Sequence, residues 1–183
     1  MRQMIDLQQF CSTDPGRPAL LRPWAVGDKA YASNGHIIVR VRSRADIPES
    51  DAAPNAPKLF EAHAVTDLSP VRISLPAPAE KECDDCDGGQ VHSCPTCHCV
   101  CPTCNGTMKV ADDRYRVVSM RGNLFQEKYI RQLLALPGLR CANSSNQHEP
   151  MFFAFDEGDG LLMPVRSAPY QEVIEEDGEG AVA

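Results

Sequence analysis

Several things are scarce in this sequence, and each scarcity removes a class of function. No stretch approaches the ~20 consecutive apolar residues of a membrane span. No hydrophobic run follows Met1-Arg2-Gln3, so no secretory leader is expected and the chain reads as cytoplasmic. Positive charge is in deficit: 18 Lys and Arg face 25 Asp and Glu, a net −7. That balance opposes wholesale wrapping of nucleic acid, although a local basic face survives it. The sequence has no G-x-x-x-x-G-K-[ST] phosphate loop, no G-x-S-x-G elbow and no H-E-x-x-H. It also lacks the H-x-E ahead of a P-C-x-x-C that a zinc deaminase needs. His36 beside a turn, His63 in a short helix and His148 in a polar loop have no identifiable carboxylate or nucleophile partner and read as surface or turn residues. The expectation is a protein that is not an enzyme.

Cysteine, by contrast, is concentrated. Seven of the nine cysteines fall between Cys83 and Cys104, in the run CDDCDGGQVHSCPTCHCVCPTC. Three pairs have the C-x-x-C form: Cys83/Cys86, Cys94/Cys97 and Cys101/Cys104. Such a turn brings two sulfurs to one side of a tight knuckle, half of a tetrahedral zinc site. Fourteen residues separate Cys86 from Cys101, a length that suits a zinc ribbon joining the outer knuckles. A disulfide framework would need an oxidising compartment, and redox C-x-x-C pairs usually occur singly. One Zn2+ is therefore expected at Cys83, Cys86, Cys101 and Cys104. A second ion at His92, Cys94, Cys97 and Cys99 is the alternative to leaving three thiols free and open to oxidation. His98 also lies within this group. Four protein ligands close a structural site and leave no position for a reacting water. Cys11 and Cys141 read as apolar fillers.

Structure is expected on both sides of the cysteines. Leu7 and Phe10 suggest a short helix over Asp6–Cys11. Tyr31–His36 and Ile37–Arg42 read as a hairpin turning on Asn34-Gly35 in a type I′ turn. Its second strand puts Ile37, Val39 and Val41 on one face and Ile38, Arg40, Arg42 and Arg44 on the other. Asp51–Pro57 reads as a loop, Leu59–Ala64 as a helical turn or two, and Val71–Leu75 as a strand before the stiff Pro76–Ala79 linker. Beyond the cysteines, Tyr115–Met120 reads as a strand. Gln126–Leu136 reads as an amphipathic helix stopped by Pro137-Gly138, with Lys128 and Arg131 on its polar side. A closing hairpin is expected from Met151–Phe155 and Leu161–Val165, turning at Asp156–Gly160. The acidic end, with Glu172, Glu175, Glu176, Asp177 and Glu179, reads as a solvated, disordered tail.

Two resemblances follow. Cys83-Asp84-Asp85-Cys86-Asp87-Gly88 and Cys101-Pro102-Thr103-Cys104-Asn105-Gly106 both read C-x-x-C-x-G, similar to the cysteine-rich zinc module of DnaJ-type chaperones. That family repeats C-x-x-C-x-G-x-G and binds two zinc ions. Here the second glycine is out of register, the inner knuckle has no glycine, and no J-domain His-Pro-Asp occurs. Zinc-ribbon geometry is implied; chaperone activity is not.

The second resemblance is to the bacterial DNA polymerase III β sliding clamp. Ala32-Ser33-Asn34-Gly35-His36 resembles that family's "A-T-D-G-H" hairpin, and Phe125–Tyr129 its "F-x-x-K-Y-L" helix start. Pro150–Phe153 with Gly160-Leu161-Leu162-Met163-Pro164-Val165-Arg166 resembles its terminal strands. These pieces, in family order, imply an α+β fold: a single sliding-clamp-like domain, an antiparallel sheet with helices on one face, carrying an inserted zinc ribbon. The expected layout is 1–80 and 108–170 as the two halves, 81–107 as the insert and 171–183 as the tail. The family has three such domains per subunit. With one here and no internal repeat, a ring would need a homo-oligomer of about six copies.

The resemblance places Lys128 and Arg131 on a DNA-facing helical surface. Charge alone points to Arg40, Arg42 and Arg44, although a clamp carries its sheet on the outside. The functional expectation is a non-catalytic, clamp-like zinc protein of DNA replication or DNA metabolism, contacting another protein and, at these residues, DNA. The alternative is a regulator or inhibitor that grips a partner complex without touching DNA. A chaperone-like zinc-ribbon binder stands third.

Overall fold

The computed structural model describes residues 4–50, 54–63, 65, 67–71, 73–75, 77, 80–86, 100–111, 116–143, 146, 148–166 and 172–175. For residues 111 and 172–175 it describes the backbone only. The chain divides into two compact units, one formed by Met1–Ser74 with Arg116–Ala183, the other by Leu75–Tyr115. The class is α+β, with a mostly antiparallel sheet system and two α-helices.

The first unit opens with a single 3-10 turn, Leu7–Phe10, within the span Asp6–Cys11 where a short helix was expected. The Asp6 side chain caps it by accepting from the Gln8 N–H. Strands β1 (Trp24–Val26), β2 (Lys29–Ser33) and β3 (Ile37–Arg42) follow as a meander. The β2–β3 turn departs from type I′. Asn34 pairs with Ile37 across the turn, and only Gly35 has a positive φ, at 90°. The Asn34 carboxamide accepts from the N–H groups of His36 and Ile37, which fixes the turn without a left-handed asparagine.

Helix α1 (Ala56–Ala62) begins within the segment read as a loop, because Asn55 caps it and Pro57 sits in its first turn. The strand expected at Val71–Leu75 lies instead at β4 (Leu68–Pro70). After the second unit come β7 (Arg116–Met120), β8 (Asn123–Gln126) and α2 (Glu127–Leu134). Then follow β9 (Arg140–Ala142), β10 (Met151–Phe155), β11 (Gly158–Leu162) and β12 (Glu172–Glu175). The second unit contributes β5 (Glu80–Glu82) and β6 (Lys109–Ala111).

Seven strands form one antiparallel sheet in the order β1-β2-β3-β11-β10-β9-β4. A second sheet has the order β12-β7-β8, with β12 parallel to β7. The expectation of a disordered acidic tail therefore fails at Glu172–Glu175, whose backbone completes an edge that β7 would otherwise leave bare.

The sheet is covered on both faces, not on one. Ile37, Ile38 and Val39 are consecutive in β3 and all buried, although neighbours in a strand point opposite ways. On one face Ile38, Tyr31, Trp24, Phe152 and Leu161 pack with Ala56 and Phe60 of α1. On the other lie Ile37, Val39 and Val41, and the 3-10 turn packs on β2 and β3. Elsewhere, α2 packs on β7 and β8.

Glycine shows where sequence signals mislead. Asp156–Gly160 reads as a turn, but only Asp156 and Glu157 turn, and Gly158 and Gly160 lie inside β11 with no positive φ. They are there for space. A Cβ on Gly160 would sit 2.2 Å from Phe153 Cζ and 2.5 Å from the Ile38 carbonyl oxygen, and one on Gly158 would sit 2.1 Å from the Arg40 carbonyl oxygen. Gly160→Ala is expected to cost about 1–3 kcal/mol through overpacking between β3 and β10. Chemical denaturation checks this, and an unchanged midpoint would refute the close fit.

Candidate metal centre

The described part of the second unit is built on a two-stranded hairpin. β5 pairs antiparallel with β6, Lys81 opposite Val110, and the Cys83 N–H donates to the Met108 carbonyl at 2.8 Å. This ladder sets the Cys83–Cys86 turn against the Cys101–Cys104 turn. The second knuckle then curls back through three left-handed residues, Asn105 (φ 49°), Gly106 (φ 77°) and Met108 (φ 64°). Gly106 is needed twice over: its φ is one that L side chains resist, and a Cβ would press on Val100 Cγ1 at 3.1 Å. The Thr103 hydroxyl bonds to the Asp85 carboxylate and ties the knuckles together. Lys81 pairs with Asp84 at 2.8 Å.

The four sulfurs converge. Cys83 and Cys101 are 3.8 Å apart, Cys86 and Cys104 3.7 Å, and all four ligand atoms lie within 4.8 Å of one another in buried positions. A disulfide would bring two sulfurs to ~2.05 Å, so these are free thiols. A tetrahedron with ~2.3 Å metal–sulfur bonds has edges of ~3.8 Å. The spacing thus fits one metal ion held by four thiolates, a donor set that suits zinc or iron.

Electrostatics agree with a site completed by a cation. Burial pushes the Cys83 and Cys86 thiols up. At Cys104 burial is outweighed by hydrogen bonding, first from the Met108 N–H, then with the Cys101 and Cys86 sulfurs and from the Gly106 N–H, and the thiol falls below its usual value. The Asp85 N–H likewise bonds to the Cys83 sulfur. Such amide-to-sulfur bonds spread thiolate charge and orient the ligands.

Other candidate residues divide. His92, Cys94, Cys97 and Cys99 lie outside the described residues, as does His98. Cys11 and Cys141 are buried; desolvation raises the Cys11 thiol to about 11, as befits an inert filler. The Arg40/Arg42/Arg44 stripe is not a continuous basic surface. Arg40 is half-buried, its Nε and Nη2 held by Asp159 at 2.8 and 2.6 Å, with its guanidinium 4.1 Å from the Phe60 ring centre. Arg44 donates to the Ile5 carbonyl at 2.9 Å and is mostly covered. Arg42 alone of the three stands exposed. Arg131 is held by buried Glu127, its Nε 2.7 Å from Oε1, and Arg116 lies 3.1 Å from the other oxygen. Lys128 is exposed, with Nζ 4.9 Å from the Tyr129 ring centre. The other face of Tyr129's surroundings holds His36, stacked at 5.6 Å.

Sequence reasoning missed a second feature, a groove of about 200 Å3 in the first unit. Leu20, Trp24, Ile38, Ala56, Leu59 and Met163 give it largely apolar walls, and the turn at Gly35-His36 forms one rim. The Trp24 indole N–H is itself buried, without a hydrogen-bond partner. No periodicity announces such a groove, because its walls come from segments more than a hundred residues apart.

Comparison with protein-family models, with curated proteins and with solved structures returns no match.

Two outcomes are expected. Gly106→Ala should loosen the metal by roughly ten- to a hundred-fold, read by competition with a chromophoric chelator. Chelation should unfold the second unit while denaturation of the first keeps its midpoint; collapse of both transitions together would contradict two separate units.

Proposed function

We propose that this chain is a non-catalytic zinc-binding protein of clamp-like fold that serves DNA replication or DNA metabolism in the cytoplasm by gripping a partner protein. The apolar groove carries the reading. Leu59 and Met163 line it and are 39% and 41% exposed. An extended apolar segment of a partner supplies side chains to cover these walls. The groove is built from Gly35-His36, Leu161 and Met163, which belong to the segments that resemble the sliding clamp. Zinc at Cys83, Cys86, Cys101 and Cys104 is structural in this reading, since four thiolates leave no open position.

DNA contact falls to Arg42 and Lys128, the exposed members of the basic set. The pairing of Arg40 with Asp159 and of Arg131 with Glu127 favours the second reading, a regulator that grips its partner without DNA.

A displayed-peptide library selected on the intact protein should enrich extended apolar peptides, and Leu59→Glu or Met163→Glu should weaken the selected peptide at least roughly tenfold. Selection of nothing, with both variants folded, would sink the groove. Fluorescence anisotropy with duplex DNA at low salt decides the rest. Binding that weakens with salt and is lost in Arg42→Glu/Lys128→Glu supports a DNA role, and absence of binding leaves the regulator.

A further inference from the structure

The metal-binding unit carries a proposal independent of the groove. Its sequence, Leu75–Tyr115, holds seven acidic residues against three basic ones, so 41 of the 183 residues supply −4 of the net −7. A divalent ion bound by four thiolates leaves the centre itself at −2, which adds to that field. The carboxylates of the described hairpin are exposed and incompletely neutralised. Asp84 pairs with Lys81 at 2.8 Å and Glu80 with Lys109 at 3.4 Å. Glu82 and Asp85 face no cation among the described residues.

Apolar side chains stand beside these charges. Val100 is 63% exposed and Met108 38%, and neither belongs to the buried cluster of four cysteines with Val110. Both border the second knuckle: a Cβ on Gly106 would lie 3.1 Å from Val100 Cγ1, and Met108 is two residues beyond. Glu82 is opposite Lys109, the neighbour of Met108, and Asp85 bonds to Thr103 of the same knuckle. The metal centre needs the backbone of Met108, whose N–H bonds to the Cys104 sulfur and whose carbonyl accepts from the Cys83 N–H. It does not need the side chain. At φ 64° glycine or asparagine would sit with less strain. Methionine instead places a flexible, polarizable group outside the fold, as adaptable binding surfaces do.

The charge selects the partner. A negative field repels nucleic acid and anionic lipid alike. A second copy brings no complementary charge, because the residues outside this unit hold 18 acids against 15 bases. We propose that the second knuckle, with Glu82 and Asp85, is a docking surface for a partner protein's segment that carries Lys or Arg beside an apolar side chain. The apolar side chain covers Val100 and Met108, and the cations meet the two carboxylates.

A displayed-peptide library selected on the full zinc-loaded chain, and counter-selected on the Val100→Ser/Met108→Asn variant, tests this. The expected sequences set two or more Lys or Arg beside Leu, Ile or Phe. The strongest, made as a synthetic peptide, should bind that variant roughly tenfold or more weakly, and should weaken as salt rises. Glu82→Lys should weaken it likewise, whereas Leu59→Glu in the groove should leave it unchanged. Asparagine tolerates the left-handed backbone, so chelator competition should show the double variant keeping its metal. Enrichment of acidic sequences, or of none, overturns the proposal. So does a selected peptide that ignores Glu82→Lys or is lost with Leu59→Glu. Should the double variant lose its metal, Glu82→Lys, exposed and not a ligand, decides alone.

Discussion

The ladder between β3 and β11 is the interaction on which the first unit depends. It pairs Ile37 with Leu162 and Val41 with Gly158, joining residues on either side of the second unit. Without it the β1–β3 meander and the β9–β10–β11 strands are two sheets with open edges. Gly158 and Gly160 let β11 lie close against β3, and the Arg40–Asp159 pair locks the same two strands from the α1 side. Hydrogen bonds to charged groups contribute about 1.5–3 kcal/mol each, so this half-buried pair belongs to the fold before it belongs to any surface.

The second unit rests on a different balance. Among its described residues, the buried cluster consists of four cysteines with Val110 packed against them. Apolar burial on that scale does not offset the entropy of ordering a small domain. Metal binding contributes on the order of 10–16 kcal/mol in zinc-finger peptides, and an ion held by the four sulfurs would take the place of a hydrophobic core. Each unit is thus stabilised by its own means, which explains how a metal hairpin is accommodated inside a sheet protein's sequence.

What the sequence disclosed and what it hid follow from the range of the forces involved. C-x-x-C spacing is local chemistry, and the tetrad at Cys83, Cys86, Cys101 and Cys104 is legible at once. The β2–β3 hairpin, α2 and the β10 strand carry their own periodicity and turn residues. The three-residue strands β1, β4 and β9 carry none, being too short to alternate. Arg40 looks like an exposed residue of an amphipathic strand until Asp159, more than a hundred residues away, is placed beside it. Gly158 and Gly160 mimic a turn because a sequence does not distinguish a glycine needed for backbone freedom from one needed for room. The walls of the groove were invisible because they come from segments far apart in the chain, Leu20 and Trp24 at one end and Leu161 and Met163 at the other.

The central ladder also sets a timetable. β3 ends at Arg42 and its partner begins at Gly158, so a ribosome adding about 5–20 residues per second holds β3 without that neighbour on the order of ten seconds. Throughout that interval Ile37, Ile38, Val39 and Val41 form an apolar strand with one unpaired edge, the kind of segment that pairs with other chains. The metal hairpin, whose partners are close in sequence, is complete before β11 is made. Newborn chains pass through a stage in which the residues of the small unit are all made while β3 still waits for β11.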